Sequence, residues 1–409
     1  MKLKNSLHLT YCSNIHPGET WLEVKKNLET YLPALKRQIS PNAPFGVGLR
    51  LSNLASQELL KQNALAEFKD WLVENDFYVF TMNGFPYGGF HHQRVKDDVY
   101  APDWSTPERL SYTQRLVNIL SVLLPEGVEG GISTVPISYK PWWEGDREKL
   151  ETVFTVSTQQ LAQLTADLIA IRQNSGQLIH IDLEPEPDGL LENAAEVIDY
   201  FHQWLLPMGG DWLSKKLGIL PAQAEQQLKE HIQVCYDTCH FAVEYEHPRQ
   251  VFKQFREAGI KVGKGQLSAA LRLDLPADTN QRQWLSEQLA PFAESTYLHQ
   301  VIARSAKGKL QRYRDLQAAL PHFLNSQAEE WRTHFHVPIF IDRYQAFQST
   351  QSDITSFLET LKENSDCQHL EIETYTWDVL PPEIKLNMAM SIQREYEWTI
   401  AAIKKTFEV

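Results

Sequence analysis

The chain alternates short apolar runs of strand length with longer stretches of helical period, and this alternation constrains its fold more than any other feature. Eight strand-like runs begin near Leu7 (LHLTYC), Phe45 (FGVGLRLS), Phe77 (FYVFTMN), Glu129 (EGGISTVPI), Leu178 (LIHIDLE), Ile232 (IQVCYD), Ile260 (IKVGKGQL) and Leu370 (LEIETYT). Helical patterns lie between them at 21–35, 57–73, 107–124, 156–171, 190–205, 248–258 and 353–361, and a last one covers 383–404. Parallel strands need a crossover connection, so eight such units in sequence predict a closed (β/α)8 barrel, an α/β TIM barrel. An open doubly wound sheet is the alternative that the same alternation allows.

The units are unequal. Between the seventh and eighth runs lies a long excursion, 276–347, holding a hairpin pattern (TYLHQVIARSAKGKLQRYRDL) and a further strand-like run (THFHVPIF). A second long loop at 86–105 is rich in aromatic residues and histidine. No repeat or linker divides the chain, so the expectation is one barrel domain over 1–409 with 276–347 inserted into it.

The 43% apolar content is enough for a large core, and a formal net charge of −13 disfavours a nucleic-acid partner. No run approaches the roughly 20 apolar residues of a membrane span. The opening MKLKNSLHLTYCSN reads as a first strand, not as a leader, and four cysteines in a chain of this length do not make a disulfide framework. A soluble cytoplasmic protein is expected.

In a barrel of this kind, chemistry gathers at the C-terminal ends of the strands, where side chains alternate between axis and helices. In HIDLEPEPDG, His180, Asp182 and Glu184 share the axial face, with Glu184 uppermost. In VCYDTCHFA, Cys235 and Asp237 face inward and His240 follows three residues on; Cys235 and Cys239 are expected to be inert packing. In HLEIETYTW, His369, Glu371 and Glu373 point inward, with Glu373 uppermost. Lys264 and Gln266 share a face of the seventh run, with Gly263 and Gly265 leaving room beside them, and His334 and His336 flank Phe335 in the excursion. Glu184, Asp237 and Glu373 would then share one small cavity with His240, Gln266 and His336 close by. Three carboxylates in such a space call for a cation, and mixed oxygen and imidazole donors suit Mn²⁺, Mg²⁺, Co²⁺ or Zn²⁺. The bland alternative is three unrelated acids, each in its own salt bridge. Lys264, Arg50 and His334 are expected to contact substrate, although a salt bridge inside the barrel would equally account for Lys264 and Arg50.

This order, Glu after the fifth strand, Asp-x-x-His after the sixth and Glu after the eighth, resembles the xylose isomerase-like barrel superfamily. DTCHFA at Asp237–Ala242 is similar to the metal-binding segment of its endonuclease IV branch, and TMNGFPYGGFHH is similar to its sugar-epimerase branch. The resemblance implies that Glu184, Asp237, His240 and Glu373 are metal ligands, that Gln266 stands where a histidine ligand is common, and that Glu184 and Glu373 form the acid/base pair. His334 and His336 resemble a later Asp-x-His pair of the nuclease branch. NGFPYGGFH, DTCH, HFHVPIF and HLEIETYTW also resemble the E-protein family of the bacterial ebo metabolite-traffic cluster, which implies a role in secondary-metabolite traffic and partners from that cluster. The expected activity is metal-dependent isomerisation or epimerisation of a small hydroxy-carbonyl or polyol metabolite. Metabolite binding without turnover is the alternative, and phosphodiester hydrolysis is a third reading.

Overall fold

The computed structural model describes residues 1–3, 6–91, 95–344, 346–363, 367–378 and 387–408. Seven parallel strands come first: β1 (His8–Tyr11), β2 (Phe45–Arg50), β3 (Phe77–Asn83), β4 (Gly130–Thr134), β5 (Ile179–Leu183), β6 (Ile232–Asp237) and β7 (Val262–Leu267). Six more strands form a separate sheet: β8 (Ala269–Asp274), β9 (Val301–Ser305), β10 (Leu310–Tyr313), β11 (Ala328–Val337), β12 (Arg343–Tyr344) and β13 (Phe347–Ser349). The last strand, β14 (His369–Ile372), then returns to the first sheet and inserts between β1 and β7.

The eight-stranded sheet runs β1, β14, β7, β6, β5, β4, β3, β2, all parallel. A parallel bridge between Cys12 and Gly48, and a hydrogen bond from the Thr10 hydroxyl to the Gly46 carbonyl, bring its two ends together. The architecture is therefore the (β/α)8 barrel that the alternation predicts. The open doubly wound alternative fails because β1 sits next to the final strand.

Most predicted helices stand where the periodicity places them; the one at 248–258 coincides with Pro248–Ala258. The pattern at 57–73 is two helices, Asn53–Leu59 and Ala64–Glu74, broken where Gln62 takes a positive φ of 52°. The pattern at 190–205 begins as Ala194–Tyr200, widens into a π-helical stretch, Phe201–Gly209, and is followed by two further helices, Gly210–Leu217 and Pro221–His231. The final helix is Met388–Phe407; its expected start, 383–386, lies outside the described residues.

The six-stranded sheet is antiparallel wherever its strands pair; it runs from Ala269 to Ser349 and so begins before the excursion expected at 276–347, because β8 follows β7 with Ser268 alone between them. Its strand β11 carries His334 and His336 to the top of the barrel. Inside the barrel, β-bulge geometry between β6 and β7 turns Gly263 as well as Lys264 inward. A Cβ at Gly263 would collide with Asp182, and one at Gly48 with Glu371, so these glycines make room for a polar interior layer. Gly265 instead faces Phe357 outside the barrel. No helix among the described residues is long and apolar enough to cross a membrane.

Candidate metal centre

Three acids converge at the top of the barrel. Glu184 follows β5, Asp237 ends β6 and Glu373 follows β14, and a carboxylate oxygen of each lies within 4.8 Å of the other two. All three are buried. Their common hydrogen-bond donor is the side-chain NH2 of Gln266, which donates to Glu184 Oε1 at 2.9 Å, to Asp237 Oδ2 at 3.1 Å and to Glu373 Oε2. An amide NH2 has two protons, so three carboxylates exceed what it can satisfy. Glu184 Oε2 has no partner at all.

Local structure fixes each acid. Asp237 caps the short helix Thr238–Val243: its Oδ1 accepts from the backbone N–H of Cys239 at 2.8 Å and of His240 at 3.0 Å, and from the Ser268 hydroxyl at 2.6 Å. This leaves Oδ2 aimed at the other two acids. Asn14 and Asn83 donate to Glu373 Oε1 at 2.7 and 2.9 Å, turning Oε2 to the centre. Burial, and then the charge of Asp237, push Glu184 well above the ordinary carboxyl range. Burial, then Glu184 and Asp237, do the same to Glu373. Burial would raise Asp237 too, but His240, His336 and its three donors outweigh that and hold it below its usual value. The cluster thus sets one acid held below its usual range against two pushed well above theirs.

Three histidines stand beside these acids. His240 Nδ1 lies 3.1 Å from the Pro185 carbonyl, His336 Nδ1 lies 2.9 Å from the Glu373 carbonyl, and His334 Nδ1 lies 2.8 Å from the Gln300 side-chain oxygen. Each partner is an acceptor, so each Nδ1 carries the proton and each Nε2 presents a lone pair. The Nε2 atoms of His240 and His336 face each other at 3.4 Å, and His334 Nε2 has no partner. Burial lowers all three pKa values, that of His240 to about 4, so the rings are neutral at pH 7. His240 and His336 lie within ligand reach of Asp237, and His240 and His334 of Glu186. Unpaired lone pairs, an orphaned carboxylate oxygen and surplus negative charge are what a divalent cation neutralises, so the residues present fit one.

The structure brings together Glu184, Asp237, His240, Gln266, His334, His336 and Glu373. It departs from expectation at three of the candidates. Gln266 turns its NH2, not its oxygen, toward the acids, because Cys235 Sγ–H holds the amide oxygen at 3.0 Å; as placed it is a donor to the acids and not a ligand. Lys264 lies beneath the cavity, fully buried, paired with Glu371 and donating to the Ser133 hydroxyl at 3.2 Å. Burial opposes its charge, but Glu371 outweighs it and raises the pKa. Arg50 bonds Glu19 at 3.0 Å and the Gly18 carbonyl at 3.1 Å, outside the cavity walls. Neither cation therefore contacts a ligand from its position here.

Sequence reasoning missed Glu186, Asn14 and Asn83. Glu186 continues the two-residue period beyond Glu184, and Asn83 is the polar last residue of FYVFTMN; those were the available signals. Burial first, then Asp237 and Asp188, push Glu186 up to about 8. Above the acids opens a cavity of about 540 Å³ including its mouth. Its floor is polar, and its walls come from the loop after β3, from the segment before β9 and from Tyr375 after β14. His92, part of the His-rich loop motif, lies outside the described residues.

The fold and site together define a (β/α)8 barrel with a buried carboxylate–imidazole cluster at the C-terminal ends of its strands. No protein-family model matches the sequence, and no curated protein sequence matches it. Among solved structures, the chain is similar to D-psicose 3-epimerase in the presence of D-fructose (TM-score 0.49, 11% identity, covering 98% of this chain and 100% of the other). It is also similar to the IolI protein with a bound zinc atom (TM-score 0.48, 12% identity, 98% and 100%). A third is apo 3-keto-D-glucoside 4-epimerase, YcjR, from E. coli (TM-score 0.46, 13% identity, 97% and 99%).

Proposed function

We propose that this barrel binds a divalent ion at Glu184, Asp237 and Glu373, with His240 and His336 alongside. It would isomerise or epimerise a small hydroxy-carbonyl or polyol-like metabolite. The observation that carries this reading is the convergence of three buried carboxylates on a single amide donor, with Glu184 Oε2 left unpaired. When bound, Mn²⁺, Mg²⁺, Co²⁺ or Zn²⁺ polarises a carbonyl or hydroxyl oxygen. Glu184 and Glu373 are the proton-moving groups, because both carboxyls line the cavity where a substrate carbon would sit. Asn14 and Asn83 orient Glu373, and the backbone cap orients Asp237. His334 lines the cavity, and its Nε2, buried and without a hydrogen-bond partner, would accept from a substrate hydroxyl that reaches it.

The reading treats 1–409 as one barrel domain whose second sheet is an insertion supplying part of the site. Its motif resemblance to the ebo-cluster E proteins supports a place in cytoplasmic metabolite traffic, with partners from that cluster. A second reading, binding and delivery without turnover, is favoured by the enclosed aromatic walls. The two separate in solvent deuterium. Metal-loaded protein should exchange the C–H protons beside the carbonyl of hydroxyacetone or 2-hydroxyacetophenone, and Glu184→Gln and Glu373→Gln should each stop the exchange. Binding of either probe with no exchange would establish the carrier reading instead.

A further inference from the structure

The cavity is divided by hydrogen-bonding capacity. On its floor, Asn14 Oδ1, Glu184 Oε2, Glu186 Oε1 and His334 Nε2 are buried and unpartnered. With Nδ1 protonated in His334, its Nε2 accepts, as does the Asn14 oxygen, and the two carboxyl oxygens are polar partners for a hydroxyl whether or not they carry a proton. The walls are the reverse. Lys96 spends its three ammonium protons on the Tyr297 carbonyl at 2.6 Å, the Glu294 carbonyl at 3.3 Å and Asp315 at 2.6 Å. Gln300 donates to the Pro187 carbonyl at 2.9 Å and accepts from His334. The Tyr297 hydroxyl donates to the Phe90 carbonyl at 3.1 Å. Apart from the Tyr375 hydroxyl, what remains at this wall is mainly ring surface: Phe90, Tyr297 and Tyr375 lie 5.2–5.3 Å apart, centroid to centroid, tilted or edge-on.

From this division we infer that the ligand is an amphipathic molecule, with a hydroxyl-bearing head for the floor and an aromatic body for the wall, and not a free sugar. The inference deepens the proposed function and rests on the same cavity. A sugar would have to leave hydroxyls unsatisfied against ring carbon, at a loss comparable to a hydrogen bond each. An aromatic ring gains burial and offset or edge contacts against Phe90, Tyr297 and Tyr375.

The test uses the full chain, after its metal content has been measured, and two probes: 1-phenylethane-1,2-diol and propane-1,2-diol. Calorimetry or ligand-observed NMR should show the aryl diol binding about tenfold or more tighter than the methyl diol. Phe90→Ala and Tyr297→Ala should each weaken the aryl diol severalfold while leaving propanediol unchanged. Equal affinities for the two diols, or binding of neither, overturns the inference. An aryl preference in protein that holds no metal sustains the inference and overturns the proposed function; metal with no aryl preference does the opposite.

Discussion

Two polar layers sit one above the other in this barrel, and both are built from buried acids. In the lower one, Lys264 pairs with Glu371, and Asp182 lies 2.7 Å from His180. In the upper one, Glu184, Asp237 and Glu373 share one neutral amide. The lower layer carries its own cation, Lys264, against Glu371, although Asp182 Oδ2 and His369 Nδ1 there also have no hydrogen-bond partner. The upper layer has more negative charge than its surroundings neutralise and is complete only when something positive enters. A buried acid is therefore evidence of a site when its compensation is missing, and evidence of architecture when it is present.

The largest expected effect lies in the lower layer. Lys264→Met leaves Glu371 uncompensated at the barrel centre and should cost about 3–5 kcal/mol in chemical denaturation, with or without added metal. A loss below about 1 kcal/mol would mean that the layer does not depend on its internal pair. In the upper layer the sign of the response changes. Mn²⁺ at a hundred times its Kd should stabilise the wild type by about 2.7 kcal/mol. Glu184→Gln should remove that increment while leaving the metal-free protein as stable or more so, because one of three mutually repelling acids is gone. Destabilisation of the metal-free variant would instead make Glu184 a structural residue.

Glu395 sharpens the comparison as a buried acid outside both layers. It accepts from the Thr374 hydroxyl at 2.6 Å, and burial pushes its pKa up to about 8. A carboxyl whose folded pKa is raised keeps its proton longer in the folded chain than in the unfolded one. Stability from this group is thus greatest below about pH 4.5 and is lost as pH climbs to about 8, at about 1.4 kcal/mol per unit. Glu395→Gln should flatten that decline, so its melting advantage over the wild type should widen from pH 5 to pH 8; a constant difference would contradict the shift. The smallest expected effect is proton release. Glu184 and Glu373 are held above the ordinary carboxyl range, so metal competes with protons there: apparent affinity should rise with pH, and calorimetry in buffers of different ionisation enthalpy should report net proton release on binding.

The barrel was legible because alternation and unit count are local properties of the chain. The convergence of Glu184, Asp237 and Glu373 was legible for the same reason: period-two geometry at a strand top sets height and facing without knowledge of neighbours. What was not legible depends on contacts between distant segments. The amide of Gln266 is turned by Cys235 on the adjacent strand, Lys264 is claimed by Glu371 on β14, and Arg50 is claimed by Glu19. Asn14 sits on a short turn after β1, where no strand periodicity applies, and Glu186 lies past the end of β5, where its spacing from Glu184 was a signal but no strand fixed its facing. The rings of Phe90, Tyr297 and Tyr375 meet across more than two hundred residues, and nothing local marks their meeting.

The central claim, that the upper layer is an incomplete charge cluster awaiting a divalent ion, is tested most directly by elemental analysis of the purified chain beside Asp237→Ala. The account predicts about one divalent ion per chain in the wild type and loss of it in the variant. A wild type that takes up no metal after dialysis against Mn²⁺ or Zn²⁺, or a variant that holds as much as the wild type, would contradict it.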